Sequence, residues 1–334
     1  MKTPETIVLT RADVARLLTI DDCIRAVENA FRVHGEGRAP APGVLGFPAL
    51  GAADGGFHVK AAGLSSGRAY FAVKTNSNFS SNPGRHDLPA IQGTIALFDG
   101  GDGRLLALMD SIEITILRTG AATAVAARHL AREDSATAAI CGCGNQGRVQ
   151  LESLCRVLPV RRARAFDVNA GLAKAFAAEM SERLSIDVVA VTDIASALAG
   201  ADVCVTCTPS RSPFLLREHV APGTFVAAVG ADSPDKQELE PELVATATLV
   251  VDVLEQCASI GELHHALDAG LRSPDEPPAT LGEVVAGARA GRSGAEEVTI
   301  FDSTGTALQD VAAAAMAYER GLAENAGFSV RLGA

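Results

Sequence analysis

The stretch that most constrains this chain is Ile140-Cys141-Gly142-Cys143-Gly144-Asn145-Gln146-Gly147, which carries glycines at G-x-G-x-x-G spacing near the middle of 334 residues. That spacing lets a strand turn tightly, lets backbone approach a pyrophosphate, and lets a helix pack close to a sheet with its first amides aimed at phosphates. The flanks agree. Ala138-Ala139-Ile140-Cys141 reads as a buried strand, and Leu151, Leu154, Cys155 and Leu158 follow at helical spacing. Gly142, Gly144, Asn145, Gln146 and Gly147 are therefore expected to bind a dinucleotide. After a second strand, Ala163-Arg164-Ala165-Phe166, comes Asp167, placed where a carboxylate accepts from the adenosine ribose hydroxyls and repels a 2′-phosphate. NAD(H) is the expected cofactor. Arg161, Arg162 and Arg164 keep NADP(H) as the lesser expectation, because an arginine swung over the ribose can bind the extra phosphate.

A chain of this length exceeds the usual single core, so two domains are expected. The formal net charge of -11 argues against a nucleic-acid partner and against an anionic membrane surface. No run approaches a spanning helix, and Met1-Lys2-Thr3-Pro4-Glu5 lacks the apolar stretch of a signal peptide, so a cytoplasmic protein is expected. The seven cysteines lie inside apolar runs and read as reduced core residues. Cys204-Val205-Thr206-Cys207 is formally C-x-x-C, but positions three apart on a strand point to opposite faces, so it reads as strand filling. His264 and His265 are adjacent on a helix and diverge by about 100°. No metal site is expected.

Thr19-Ile20-Asp21-Asp22 opens a helix that presents Ile24, Val27 and Phe31 on one face and ends at Gly35-Glu36-Gly37. A proline- and glycine-rich stretch, 39–56, leads to two strand pairs. One is 56–60 with 70–74, joined across Ser65-Ser66-Gly67, and the other is 92–99 with 104–109. Asp110 and Glu113 suit a helix start, and that helix runs to about Leu130 on small residues. Beyond it, strand candidates near Ala138, Ala163, Val188, Val203, Phe225 and Val250 alternate with helices, the rhythm of a parallel sheet. A last helix, about Thr306 to Glu324, is expected to return to the first domain. The fold class is thus α/β: a Rossmann dinucleotide-binding domain plus an α+β domain formed by the N-terminal third and the C-terminal helix.

Three residues are placed for chemistry. Lys74 ends an apolar strand and is followed by Thr75-Asn76-Ser77-Asn78, read as a polar turn opening into a cleft. Arg118 lies in the small-residue helix, where neighbours without bulk admit a substrate or another backbone. Asp232 follows the strand Thr224–Val229 and Gly230, beyond the carboxyl end where open parallel sheets bind ligands. A surface lysine, a structural ion pair and a loop cap are the respective plain alternatives.

Five ordered blocks then carry a resemblance: Lys74; Ile114-Thr115-Ile116-Leu117-Arg118-Thr119-Gly120-Ala121-Ala122; the glycine loop; Val229-Gly230-Ala231-Asp232-Ser233-Pro234-Asp235-Lys236-Gln237-Glu238-Leu239; and Phe301-Asp302-Ser303-Thr304-Gly305-Thr306-Ala307-Leu308-Gln309-Asp310. Over nearly its whole length the chain resembles the ornithine cyclodeaminase/mu-crystallin family. The resemblance implies chemistry at the α-carbon of an amino acid. Arg118 would grip the substrate carboxylate, Lys74 would polarise the carboxylate or the developing imine, and Asp232 would manage protons. Thr119, Thr206, Thr208, Ser303, Thr304 and Gly305 would join the cofactor site, with Ser303, Thr304 and Gly305 at the nicotinamide end. It implies a homodimer, and two domains: 1–122 with 310–334 for substrate binding and dimerisation, and 123–309 for NAD. The dimer is also expected because two strand pairs are too few to close a sheet without exposing edges.

One departure stands out. The family often carries a second arginine in the glycine/proline-rich stretch, and Pro40-Ala41-Pro42-Gly43-Val44 has none, leaving Lys60 as a candidate replacement cation, with a plain surface lysine as the alternative. A lysine point charge holds a carboxylate differently from an arginine fork. Three functions follow from the resemblance: an NAD-dependent imine reductase or amino-acid dehydrogenase, favoured because the carboxylate site is altered; an ornithine cyclodeaminase-type lyase with catalytic NAD; and a non-catalytic NAD-binding protein.

Overall fold

The parallel sheet follows from runs that are apolar without alternation, such as Val203–Thr206 and Phe225–Ala228, every residue of which is buried. Strands of that kind need helices on both faces. The computed structural model describes residues 5–50 and 55–332. Residues 1–4, read above for a leader, and 51–54, within the proline/glycine stretch, lie outside the described residues.

Along the chain come β1 (Thr6–Leu9), α1 (Arg11–Leu17), α2 (Ile20–Gly35), β2 (Gly43–Pro48), β3 (Gly56–Ser66), β4 (Arg68–Asn78), α3 (Asn82–Arg85), β5 (Ile91–Asp99), β6 (Leu105–Asp110) and α4 (Ile112–Leu130). Next are β7 (Thr137–Cys141), α5 (Asn145–Val157), β8 (Arg162–Phe166), α6 (Ala170–Leu184), β9 (Asp187–Ala190), α7 (Ile194–Leu198), β10 (Val203–Thr206), β11 (Arg211–Leu215) and β12 (Phe225–Ala228). The remainder is β13 (Gln237–Leu239), α8 (Pro241–Thr246), β14 (Thr248–Val251), α9 (Leu254–Ile260), α10 (Glu262–Asp268), β15 (Ala279–Thr280), α11 (Leu281–Val285), β16 (Thr299–Asp302), α12 (Ala307–Glu324) and β17 (Phe328–Val330). The chain divides into two compact units, Met1–Arg118 with Thr306–Ala334, and Thr119–Gly305.

The first unit holds a seven-stranded sheet in the order β17-β1-β6-β5-β4-β3-β2. Its spine is the β3–β4 hairpin, paired from Gly56↔Asn78 to Ser66↔Arg68 around Gly67, whose φ of 95° is the left-handed conformation that glycine adopts without penalty. Helices α2 and α12 pack against each other and against β3, and α12 also covers β4. Thr19 caps α2 by accepting from the Asp22 amide, and the face carrying Ile24, Val27 and Phe31 is buried as its spacing requires.

Two expectations about this unit need correction. Thr75–Asn78 is not a turn: β4 continues to Asn78, and Lys74 lies in its middle, paired to Lys60 on one side and Ile95 on the other. Polar side chains do not end a strand whose two backbone edges are both satisfied by neighbours. The sheet also has seven strands rather than two pairs, since β1, β2 and β17 were not foreseen, so the argument for a dimer from too few strands does not hold. One edge, β2, is exposed throughout and presents Val44, Leu45 and Phe47.

The second unit is an eight-stranded sheet in the order β15-β14-β16-β12-β10-β7-β8-β9, parallel at every pairing. From β7 the chain winds outward through β8 and β9, then crosses back to lay β10 on the other side of β7. This reversal creates a topological switch point at the carboxyl ends of β7 and β10, where ligands bind in sheets of this kind. Cys204 lies in β10 as read, whereas Cys207 falls just beyond it, its Sγ 3.3 Å from the Gly142 carbonyl. All seven cysteines are free. No helix among the described residues is long and apolar enough to cross a membrane.

Phe31 is wholly buried in α2, so Phe31→Ala should cost about 3–5 kcal/mol through the lost transfer energy and the cavity left behind. A urea melt showing no loss would mean that α2 does not seal this core.

Candidate active site

In the first unit two buried cations converge on one buried carboxylate. Lys74 is 3% exposed, Arg118 5% and Asp310 1%. The Lys74 Nζ donates to Asp310 Oδ1 at 2.8 Å and lies 2.7 Å from Oδ2, while Arg118 Nε is 3.1 Å from Oδ1. A second guanidinium nitrogen of Arg118 donates to Gln309 Oε1 at 2.7 Å. The local sequence explains the convergence. β4 delivers Lys74 from the sheet, α4 delivers Arg118, and α12, capped by Thr306, sets Gln309 and Asp310 in its first turn, where the helix dipole favours a negative charge. Lys60 stands directly across from Lys74 on β3 and is half-buried.

Electrostatics here favour proton exchange. Burial pulls the Lys74 amine down, the Asp310 carboxylate resists, and the Arg118 and Lys60 charges pull further, leaving it at about 7. Burial alone would raise the Asp310 carboxyl, but Lys74 and Arg118 outweigh it and hold it below the usual carboxylate range. Two cations for one carboxylate leave the cluster with positive charge when Lys74 is protonated, an arrangement suited to a second carboxylate from a ligand.

In the second unit the glycine loop has the shape its spacing implies. Gly142 has φ 108°, and a Cβ there would stand 2.7 Å from the Cys207 carbonyl oxygen, so the loops after β7 and β10 touch backbone to backbone. A side chain on Gly147 would collide with the Gly142 carbonyl. Gly144 is the N-cap of α5 and offers its first-turn amides no side-chain acceptor; exposed Asn145 and half-buried Gln146 follow. This is a ready anion site. Asp167, past the end of β8, accepts from the Cys143 amide and the Asn169 amide, each at 2.9 Å. A carboxylate accepts about four hydrogen bonds, so about two places remain for ribose hydroxyls. The residues present fit a dinucleotide.

The arginines that kept NADP(H) open are elsewhere. Arg161 and Arg162 stand at the start of β8, roughly 16 Å along the strand from Asp167, Arg162 beside Asp187, and Arg164 donates to the Ala199 carbonyl. Thr206 is buried at the end of β10, and Thr208 donates through its amide and hydroxyl to Glu238 at 2.6 and 2.7 Å. Thr119 is buried in α4. Ser303, Thr304 and Gly305 follow β16 and close on Asp252, which accepts from the Gly305 amide at 2.6 Å and the Thr304 hydroxyl at 3.0 Å. Asp232 is half-exposed and bonded to Lys236 Nζ at 2.6 Å. Among the described residues no group of histidine, cysteine and acidic side chains could hold a metal.

Asp310, Gln309, Glu238 and Asp252 were missed as site residues. Asp310, Gln309 and Glu238 stood inside blocks that pointed to function, yet nothing local marked them: Asp310 and Gln309 meet Lys74 and Arg118 far along the chain, and Glu238 meets Thr208 and Gly230 only once the loops after β10 and β12 are brought together. The geometry yields a direct test. Asp310→Asn removes what holds the Lys74 amine up, so its titration should move below about 7. NMR titration of labelled lysine side chains reads this, and an unchanged or higher value would contradict the cluster.

The ornithine cyclodeaminase/mu-crystallin family model matches residues 4–325. An archaeal alanine dehydrogenase, solved as a dimer with bound NAD, is 39% identical and superposes with a TM-score of 0.92, covering 98% of this chain and 100% of that one. The Thermococcus litoralis Δ1-pyrroline-2-carboxylate reductase, solved with NADH and L-proline, is 32% identical with a TM-score of 0.89 over 97% of this chain and 100% of that one. The L-lysine cyclodeaminase of Streptomyces rapamycinicus is 33% identical over 92% of this chain and 90% of its own. Similar in fold and sequence to dehydrogenase, reductase and cyclodeaminase alike, the chain is an enzyme of the ornithine cyclodeaminase/mu-crystallin family.

Proposed function

We propose that the protein is an NAD(H)-dependent oxidoreductase acting at the α-carbon of a small amino acid or its imine, as an imine or ketimine reductase or an amino-acid dehydrogenase. The observation that carries this reading is the buried Lys74–Asp310–Arg118 cluster. Arg118 binds the substrate carboxylate in a forked geometry, with Lys60 the candidate second cation in place of an arginine in 40–44. Lys74, poised near neutrality, gives a proton to the substrate or takes one from it, and Asp310 holds both cations in place. Asp232 is the second proton-handling group, acting on the amine or on an attacking water.

Gly142, Gly144, Asn145, Gln146, Gly147, Asp167, Thr119, Thr206, Thr208, Ser303, Thr304 and Gly305 hold NAD(H), and NADP(H) is disfavoured by Asp167. When bound, the nicotinamide supplies the acceptor or donor of a hydride at the substrate α-carbon. In this reading the first unit binds substrate and forms the dimer, and the second holds the cofactor. A homodimer is supported by the dimeric alanine dehydrogenase relative and by the exposed apolar edge strand β2. The seven free cysteines suit a reducing, cytoplasmic setting.

The test is incubation with NAD or NADH and a panel of amino acids and cyclic or ketoacid-derived imines, following NADH absorbance and ammonia. Net NADH change supports the oxidoreductase. Ammonia and proline from ornithine without it would replace this reading with the cyclodeaminase one. On the active substrate, Arg118→Ala should chiefly raise KM and lower kcat/KM with NAD affinity intact. Asp232→Asn should lower kcat by about 10²-fold or more. Normal turnover in both would remove these residues from the site.

A further inference from the structure

The carboxyl-terminal rim of the parallel sheet is pinned by carboxylates, each bonded to backbone amides of two adjacent strand-end loops or of its own and a neighbour's. Asp167 links the loops after β7 and β8, through Cys143 and Asn169. Asp252 links those after β14 and β16, through Val253 and Gly305. Glu238 links those after β10 and β12. It is wholly buried, and it accepts from the Thr208 amide and hydroxyl on Oε1 at 2.6 and 2.7 Å and from the Gly230 amide on Oε2 at 2.9 Å. The fit is tight, since a side chain on Gly230 would collide with the Glu238 carboxyl and with the Thr208 carbonyl. Its own strand is held in turn, the amides of Glu238 and Leu239 donating to Glu262 at 2.8 and 3.2 Å.

We propose that Glu238 is a positioning residue for the reaction: its two oxygens fix the spacing between the loop carrying Thr208 and the loop carrying Asp232. The proposal rests on the reading of Thr208 as a cofactor residue and Asp232 as a proton-handling one. Glu238 touches neither reactant and acts through those loops. An ionised carboxylate meets all of these donors; burial raises the Glu238 carboxyl above its ordinary value, and the hydrogen bonds from Thr208 and Gly230 oppose that rise. Three donors arrive on two oxygens, whereas an amide offers one acceptor and presents a donor at its other end. Glutamine, nearly the same shape, therefore leaves one loop facing a donor instead of an acceptor.

The test uses full-length wild type and Glu238→Gln. NADH binding is followed by the cofactor's own fluorescence, and kcat and Tm are measured alongside. Glu238→Gln should weaken NADH binding and lower kcat by about tenfold each, the scale of one lost charge-assisted hydrogen bond. A merely structural role would lower Tm and the active fraction while leaving the NADH Kd where it was, and that result overturns the proposal. Where Glu238→Gln fails to fold, Gly230→Ala carries the test, because forcing the two loops apart should weaken NADH binding in the same direction; unchanged binding overturns the proposal. Failure of wild type itself to bind NADH would instead strike the cofactor reading on which the proposal stands.

Discussion

The ion cluster of Lys74, Asp310 and Arg118 is the constraint around which the first unit is built. Taking three charges out of water costs several kcal/mol per ion, and their attraction repays this only with close, well-made contacts. A hydrophobic trio would hold sheet and helices together at least as well. The cluster therefore makes sense as a site. It places a guanidinium and an amine where water is scarce, keeps the amine near neutrality, and uses the first turn of α12 to supply the opposing charge. The register of β3 and β4, which sets Lys60 opposite Lys74, contributes to the same field.

The second unit applies a related device to backbone. Loops leaving parallel strands carry amides that the sheet no longer satisfies, and a rim built to approach an anionic ligand cannot spend all of them on neighbouring carbonyls. Asp167, Asp252 and Glu238 accept part of that surplus, whereas the first-turn amides of α5, behind Gly144, have no side-chain cap. The rim is thus held rigidly by carboxylates while one stretch stays suited to phosphate, the preorganisation a hydride-transferring site needs.

What was legible in the sequence was local. The glycine loop, its flanking strand and helix, and Asp167 lie within one short stretch, and steric demands at Gly142 and Gly147 write themselves into residue type. In the parallel sheet β15 and β16 went unread, but β7, β10, β12 and β14 were legible from continuous apolar runs, and β8 and β9, whose burial alternates, from their place between helices. β1, β2 and β17 were not, because they are short and owe their existence to partners far along the chain, as in the pairing of Thr6 with Val330. Lys74 was found but misplaced at a strand end, since the polar run after it looks like a turn unless both neighbouring strands are known. Asp310 was hidden for the same reason, lying 236 residues from the lysine it holds. Arg161, Arg162 and Arg164, near Asp167 in sequence, lie at the start and middle of β8, away from the strand end that carries Asp167.

The central claim is that the cluster exists to receive a ligand carboxylate, and calorimetry on the NADH-bound protein addresses it most directly. L-alanine and L-proline would each be titrated against its own amide, which keeps the size and removes the charge. The account predicts that binding is confined to the carboxylates and is lost in Arg118→Ala. Amides binding as tightly as the acids, or acids binding undiminished to Arg118→Ala, would contradict it.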